Sequence, residues 1–141
     1  MSISKLIRQG FFVVFRLPRP KKNFTEVPNV VFDKLMPEIN NFAALKCYFT
    51  LIRKCWGWEK VGDYLAMPQL LKLTKLSRPS ITAGMRWLEE RGYIWIVKAG
   101  SPGGEKVMYF LCSEDTEHLE RSVKEGLISP NTLYEMMMKE R

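Results

Sequence analysis

The sequence has little histidine and cysteine, the residues that build most metal and disulfide sites. It contains one histidine, His118, and three cysteines, Cys47, Cys55 and Cys112, none of which forms a CxxC pair. A structural zinc site needs clustered thiolates and imidazoles, so we expect no metal and no other cofactor. An odd number of cysteines without framework spacing is typical of proteins from a reducing cytoplasm.

Long apolar runs are also missing. The run at residues 11–15 (FFVVF) holds five residues and is ended by Arg16. Five residues are too few for a secretory signal, and a membrane-spanning helix takes about 20. We therefore expect a cytoplasmic protein without a membrane segment, in which residues 1–23 form a basic N-terminal arm and linker.

What is present is a normal core composition and an excess of positive charge. The 141 residues are 46% hydrophobic and 12% aromatic, which suffices for one folded domain. Lys and Arg number 22 against 15 Asp and Glu, for a formal net charge of +7. This balance favours a polyanionic partner, although charge alone does not exclude an ordinary solvated surface.

Hydrophobic periodicity predicts an alternation of helices and strands from residue 24 onward. The predicted order begins with a short helix over 30–36, capped by Asn29 and ended by Pro37, and a long helix with Phe42, Leu45, Phe49 and Ile52 on its buried face. A short strand over 63–67, a helix over 68–75 and a helix between the caps Ser77 and Gly92 come next. Strands over 93–99 and 106–112 then surround a six-residue tip, GSPGGE. Two more helices, over 116–125 and 131–140, follow in the tail.

The segment LSRPSITAGMRWLEERGYI, residues 76–94, gives the clearest local signals. Ser77 is a good N-cap, Pro79 falls in the first turn where its missing N–H has no cost, and Gly92 is a natural C-terminal cap. A buried stripe repeats along the helix between these caps, formed by Ile81, Gly84, Met85 and Leu88. Gly84 on that stripe would permit a close crossing of another helix.

This order predicts an α+β fold, a winged helix-turn-helix with extra C-terminal helices and a short N-terminal arm. The DNA-binding domain would span residues 24–112, and residues 113–141 would form a C-terminal helical tail. The helix over 68–75 would brace the next one through Leu70, Leu73 and Ile81.

The outward residues of the second helix are the candidate DNA-binding site. Arginine pairs two donors with guanine, Ser and Thr bond bases or phosphates, and Pro and Ala pack on a thymine methyl group. The candidates on the helix are Arg78, Pro79, Ser80, Thr82, Ala83 and Arg86. Lys72 and Lys75 on the bracing helix, and Lys98 and Lys106 flanking the hairpin tip, would bind phosphates.

The same residues carry a resemblance to a known family. The residues VPN at 27–29, a helix ending in IRKCWGW at 52–58 and the segment at 76–94 resemble the N-terminal winged-helix domain of phage replication protein O and related DnaD-like replication initiators. The resemblance runs from about Phe24 to Leu111. It implies origin-DNA recognition, with Arg78, Ser80, Thr82 and Arg86 as base and phosphate readers, and a replicative helicase or loader as a protein partner.

Three hypotheses on function stay open at this point. The first is a sequence-specific double-stranded DNA-binding protein that initiates replication of a phage, plasmid or other mobile element. The second is a small winged-helix transcriptional regulator, and the third is a winged-helix protein-interaction module that does not bind DNA. No nucleophile–base pair or metal cluster stands out, so we expect a protein that is not an enzyme.

Three further features have alternative interpretations. The Met-rich tail LYEMMMKER either supports a homodimer or partner docking, or packs on its own domain. Trp56-Gly57-Trp58 either forms the edge of the core or offers aromatic rings for stacking single-stranded bases. Trp87 either covers the helix flank beside Trp95 or contacts a partner.

Overall fold

The structure is a computed structural model that describes Ser2, Leu17 and residues 21–101 and 104–139. The basic arm over 1–23 therefore lies almost entirely outside the described residues. Within the described part, helices and strands follow in the order α1 (Val31–Leu35, continued by Met36–Glu38), α2 (Phe42–Cys55), β1 (Gly62–Tyr64), α3 (Met67–Thr74), α4 (Arg78–Glu90), β2 (Ile94–Ser101), β3 (Gly104–Leu111), α5 (Glu114–Lys124) and α6 (Pro130–Lys139).

The first helix, α1, does not stop at Pro37. Its first part is a π-helical turn, and the N–H of Met36 donates to the carbonyl of Val31. Pro37 then lies in the first turn of the α-helical continuation, which runs to Glu38. Proline is tolerated there because its missing N–H would have no partner within that turn, so the predicted end at Pro37 was wrong.

Helix α2 lies at the centre of the fold, and Asn41 caps its N-terminus by accepting the N–H of Ala44 at 3.0 Å. Its buried face is centred on Ala44, Tyr48, Leu51 and Cys55. The predicted burial of Phe42 was wrong, because this residue lies on the opposite side of the helix and is 72% exposed. A short 3-10 turn, Trp56–Trp58, continues α2.

Helices α3 and α4 are joined by a turn of three residues. Lys75 ends α3 in the left-handed conformation, with φ of 59°. The turn is held by Thr74, whose hydroxyl donates to the Leu70 carbonyl at 2.7 Å and accepts the N–H of Leu76 at 3.2 Å. Thr74 is buried while Leu73 is 44% exposed, so the prediction that Leu73 braces α4 was wrong.

The three strands form an antiparallel sheet in the order β1-β3-β2. The hairpin strands β2 and β3 pair from Ile94 and Leu111 as far as Ser101 and Gly104. The connection is therefore shorter than the six-residue tip that the sequence suggested. Gly104 has a φ of 107°, a conformation open to glycine but not to residues with a side chain, which lets β3 begin at this point.

The sheet separates two clusters of buried side chains. The first lies on the face covered by α2, α3 and α4 and includes Leu51, Leu70, Ile81, Leu88 and Ile94. The second lies on the other face and includes Trp95, Met108, Phe110 and Leu133. Leu133 belongs to α6, so the C-terminal helix packs on its own domain, which is one of the two alternatives for the tail.

The described residues thus form an α+β structure with six helices and a small three-stranded antiparallel sheet. The order of helices and strands is compatible with a winged helix. None of the helices in this part of the chain is long and apolar enough to cross a membrane.

Candidate nucleic-acid interface

The N-terminus of α4 has the cap that the sequence predicts. Ser77 is extended, and its hydroxyl oxygen accepts the N–H of Ser80 at 3.3 Å. The same hydroxyl donates to Oγ of Ser80 at 2.9 Å. Pro79 lies within the first turn, as predicted. At the other end Gly92 has a φ of 79°, and the N–H of Tyr93 donates to the Leu88 carbonyl at 3.0 Å.

A close crossing with α2 sets the position of α4. The predicted stripe of Ile81, Gly84, Met85 and Leu88 is buried. A Cβ atom at Gly84 would lie 3.1 Å from three backbone atoms of Ala43 and Ala44. Glycine therefore lets the two helix backbones meet directly, and the side of α4 opposite this crossing faces solvent.

The outward side of α4 contains the predicted reading residues. Arg78, Pro79, Thr82, Ala83 and Arg86 are exposed, with no described element covering them. Ser80 differs, because it is half-buried and its hydroxyl oxygen accepts a hydrogen bond from the Ser77 cap. The exposed set therefore offers two guanidinium groups, one free hydroxyl and two small apolar surfaces.

A hydrogen bond that the sequence did not reveal joins α4 to the hairpin. Oε2 of Glu89 accepts the backbone N–H of Ile96 in β2 at 3.1 Å. Strand β2 is at the edge of the sheet, where N–H groups directed away from β3 have no strand partner. Glu89 thereby connects the hairpin to the C-terminal part of α4. The adjacent glutamates gave no signal of this, because the contact depends on tertiary packing.

Trp87 lies in a stack at the C-terminal end of α4. Its ring is parallel to that of Tyr93, with 6.0 Å between centroids and 4° between planes. The guanidinium of Arg91 lies 4.0 Å from the Trp87 ring centroid. Trp95 packs on the other face of the sheet against Phe110, at 4.7 Å, so Trp87 does not lie beside it. The i,i+4 spacing of Trp87 and Arg91 is the sequence feature from which the contact between this ring and the guanidinium could have been predicted.

Tyr93 extends the stack to the first helix. Its hydroxyl donates to Oε2 of Glu38 at 3.1 Å, and its ring meets Tyr48 edge-on at 5.9 Å. Partial burial, and then the hydrogen bond to the Glu38 carboxylate, raise the pKa of Tyr93. The end of α4 is therefore tied to α1, α2 and the hairpin, while its first turns stay open.

The four predicted phosphate-binding lysines do not share one surface. Lys72 and Lys75 are exposed on α3 and at its end. Lys98 follows Ile94 and Ile96 on the sheet face that packs on α2 and α4. Lys106 pairs with Ala99 on the opposite face, and its ammonium lies 5.4 Å from the Tyr64 ring centroid. Because cross-strand partners share a face, the two lysines at the hairpin point to opposite sides.

The candidate interface is positively charged and not neutralised by neighbouring acids. Ion pairs in the described part of the chain join Lys60 to Asp63, Arg121 to Glu117 and Lys124 to Glu120. Within that part, no ion pair includes a predicted DNA-contacting residue. The acids nearest along α4 are Glu89 and Glu90 in its last turn. The first two turns therefore present cations alone.

A second cleft is separate from this surface. It has a volume of about 840 Å³ between the segment before α1, the end of α2 and the start of α5, and includes Val27, Trp56 and Cys112. Burial raises the pKa of the Cys112 thiol to about 11, which disfavours a reactive thiolate. The described residues hold no group of histidine, cysteine and acidic side chains that could bind a metal ion.

Comparison with known proteins adds no functional assignment. No protein-family model matches the chain, and no curated protein is significantly similar to it.

Proposed function

We propose that the chain is a winged helix-turn-helix protein that binds double-stranded DNA in a sequence-specific manner. The observation that carries the proposal is the solvent-exposed face of α4, where Arg78, Thr82 and Arg86 project from a helix anchored on its other side. A helix of this kind fits the major groove of B-DNA, which is about 12 Å wide.

In this proposal the residues of α4 have separate tasks. Arg78 and Arg86 pair with guanine or bind phosphate, and Thr82 bonds a base edge or a phosphate. Pro79 and Ala83 offer apolar contact to a thymine methyl group. Ser80 supports the helix cap and contributes less to reading than Arg78, because its hydroxyl already binds Ser77.

The lysines position the protein on the duplex. Lys72 and Lys75 bind phosphates beside the groove that α4 enters, without reading sequence. Lys98 lies on the hairpin face shared with α4, so it is the hairpin lysine assigned to the same DNA. Lys106 lies on the other face, over Tyr64, and contributes to the overall positive field rather than to this contact.

The biological role proposed for this activity is initiation of DNA replication in a phage, plasmid or mobile element. It is supported by the resemblance of residues 27–29, 52–58 and 76–94 to replication protein O and DnaD-like initiators. A replicative helicase or its loader is the corresponding protein partner. A transcriptional regulator would use the same DNA contacts, and the two roles differ in whether the selected site lies in an origin or in a promoter.

Selection from a random-duplex pool tests the proposal. We expect an enriched sequence motif, and binding to it that weakens with salt by a log–log slope of about −0.9 for each neutralised phosphate. Replacing Arg78 and Arg86 with alanine is expected to weaken specific binding by about 1–3 kcal/mol for each lost base contact.

The matched control is Arg121→Ala, which removes an exposed cation of α5 far along the chain from α4. It should leave duplex binding nearly unchanged. Failure to enrich any motif, together with no binding at moderate salt, would contradict DNA binding. Salt-independent binding of a protein partner that survives the loss of both arginines would instead identify an interaction module.

A further inference from the structure

Helix α2 carries a second surface that duplex binding by α4 does not use. Phe42, Lys46, Phe49 and Arg53 follow at intervals of four, three and four residues, which places them along one side of the helix. This side is opposite the buried face centred on Leu51. Trp58, in the 3-10 turn after α2, continues the row. We call these five residues the α2 stripe.

Two aromatic rings of the α2 stripe are largely in solvent. Phe42 is 72% exposed and Trp58 is 60% exposed. Lys46 Nζ lies 5.6 Å from the ring centroid of Phe42, and Arg53 Cζ lies 5.8 Å from that of Trp58. Each exposed ring therefore has a cation beside it. Trp56, the other tryptophan of the pair, packs against the core instead.

Gly57 leaves space for the guanidinium of Arg53. A Cβ atom at this position would lie 2.6 Å from Nη1 of Arg53. The absent side chain therefore leaves room for the guanidinium next to Trp58.

The two cations that lie beside these rings, Lys46 and Arg53, also line a shallow basic groove. Its volume is about 280 Å³, and it is lined by Lys46, Phe49, Thr50, Arg53, Lys54 and Leu73. The lining has three cations and no acid, and within the described part of the chain none of these cations has an ion pair. The charge of the groove is therefore complementary to a polyanion.

We propose that the α2 stripe and its groove bind a segment of single-stranded nucleic acid. Bases stack on Phe42 and Trp58, while Lys46, Arg53 and Lys54 bind the phosphates between them. Proteins that bind single strands combine such a basic track with exposed aromatic rings, because every base has a π face.

The exposed rings favour a nucleic acid over an acidic protein segment. An amphipathic peptide needs an apolar groove in which to bury its anchor residues, whereas Phe49 and Leu73 are the hydrophobic side chains that line this groove. The two exposed rings, Phe42 and Trp58, are not part of the lining and instead lie beside its cations Lys46 and Arg53. Flat rings alternating with cations match alternating bases and phosphates.

This site is distinct from the proposed duplex-binding site. It is formed by α2, the 3-10 turn after it and Leu73 of α3, and it includes none of the residues assigned to duplex binding. The two proposals can therefore fail separately, and variants in one surface are not expected to alter binding at the other.

Fluorescence anisotropy with a labelled oligothymidylate of about 12 nucleotides tests the proposal directly, since this probe forms no duplex. The double variant Phe42→Ala with Trp58→Ala is expected to bind it at least tenfold more weakly than the wild-type protein. The matched control is Leu127→Ala, which truncates another exposed apolar residue, 74% exposed, in the turn after α5. It should bind as the wild type does.

The charged residues and the stacking have their own measurements. Lys46→Ala with Arg53→Ala should reduce the log–log salt slope by about 1.4, or 0.7 for each lost phosphate contact. Trp58→Phe should keep binding but lose the quenching of tryptophan fluorescence that stacking produces. Arg78→Ala with Arg86→Ala should bind the single strand normally while losing duplex binding.

Three results would overturn the proposal. The first is no binding of the oligothymidylate at about 0.1 M salt. The second is equal binding by the Phe42/Trp58 double variant and the Leu127 control, with both shown to be folded by circular dichroism. The third is competition by a polyglutamate peptide that depends on Lys46 and Arg53 but not on the rings, which would assign the groove to an acidic protein segment.

Discussion

Replacing Gly84 with alanine is not expected to increase the free energy of unfolding, although alanine is the better helix former. In the interior of a helix, glycine costs about 1 kcal/mol relative to alanine. At Gly84 the new Cβ would lie 3.1 Å from the carbonyl carbon and oxygen of Ala43 and from the nitrogen of Ala44. Carbon atoms attract best at about 3.5–4.0 Å. Because these neighbours are backbone atoms, they cannot rotate away, and the two helices must move apart by a few tenths of an ångström.

The magnitude follows from two opposing effects. Overpacking of a core contact costs about 1–3 kcal/mol, while the helix propensity of alanine returns about 1 kcal/mol. The net change in the free energy of unfolding should therefore lie between about zero and a loss of 2 kcal/mol.

Urea denaturation of Gly84→Ala beside Ala83→Gly separates the two effects. Ala83 is the preceding residue of the same helix and is exposed, so its replacement measures propensity alone. We expect Ala83→Gly to lose about 1 kcal/mol. The steric cost at Gly84 is the measured loss plus that propensity difference. If Gly84→Ala gains as much stability as Ala83→Gly loses, the close crossing has no steric cost, which would contradict this prediction.

Three further predictions concern packing and protonation. Gly62→Ala should lower the free energy of unfolding by about 1–3 kcal/mol, because the Phe110 ring on the neighbouring strand already occupies the position of the added methyl group. Unchanged stability in urea denaturation would contradict this contact. Leu133→Ala should lower the free energy of unfolding by about 2–5 kcal/mol, since α6 buries this side chain on the sheet. A negligible decrease, or a change from dimer to monomer in light scattering, would point to the dimer alternative for the tail. Burial raises the pKa of Cys47 from 9.0 to about 11 and that of Cys55 from 9.0 to about 12. Above about pH 9 the folded protein therefore keeps protons that the unfolded chain releases. The contribution of these thiols to the free energy of unfolding should be fully present below about pH 9 and should fall as the pH rises toward 12. Equal denaturation midpoints at pH 8 and pH 10.5 would contradict this.

Most of α4 could be predicted from the sequence because its signals are local. Ser77 and Gly92 act on backbone groups within a few residues of themselves, and the stripe from Ile81 to Leu88 repeats with the period of the helix. The exposure of Arg78, Thr82 and Arg86 follows from the same period, since they lie on the side that this stripe leaves open.

Other positions needed the tertiary structure because several faces fitted the pattern. Phe42 and Leu73 have helical spacing to apolar neighbours, yet both are exposed, since the faces used for packing are centred on Leu51 and Leu70. Periodicity detects an apolar stripe, but it does not say which neighbouring helix will cover which edge of that stripe.

The caps of α4, its buried stripe and the positive charge of its outward side follow from residues that are close together in the sequence. The tertiary structure, by contrast, is what brings Glu89 to the N–H of Ile96 and stacks Trp87 on Tyr93. It also decided that Lys98 and Lys106 lie on opposite faces of the hairpin. A strand alternates sides at every residue, so the face of each lysine depends on the register of pairing, and that register is set by contacts far apart along the chain.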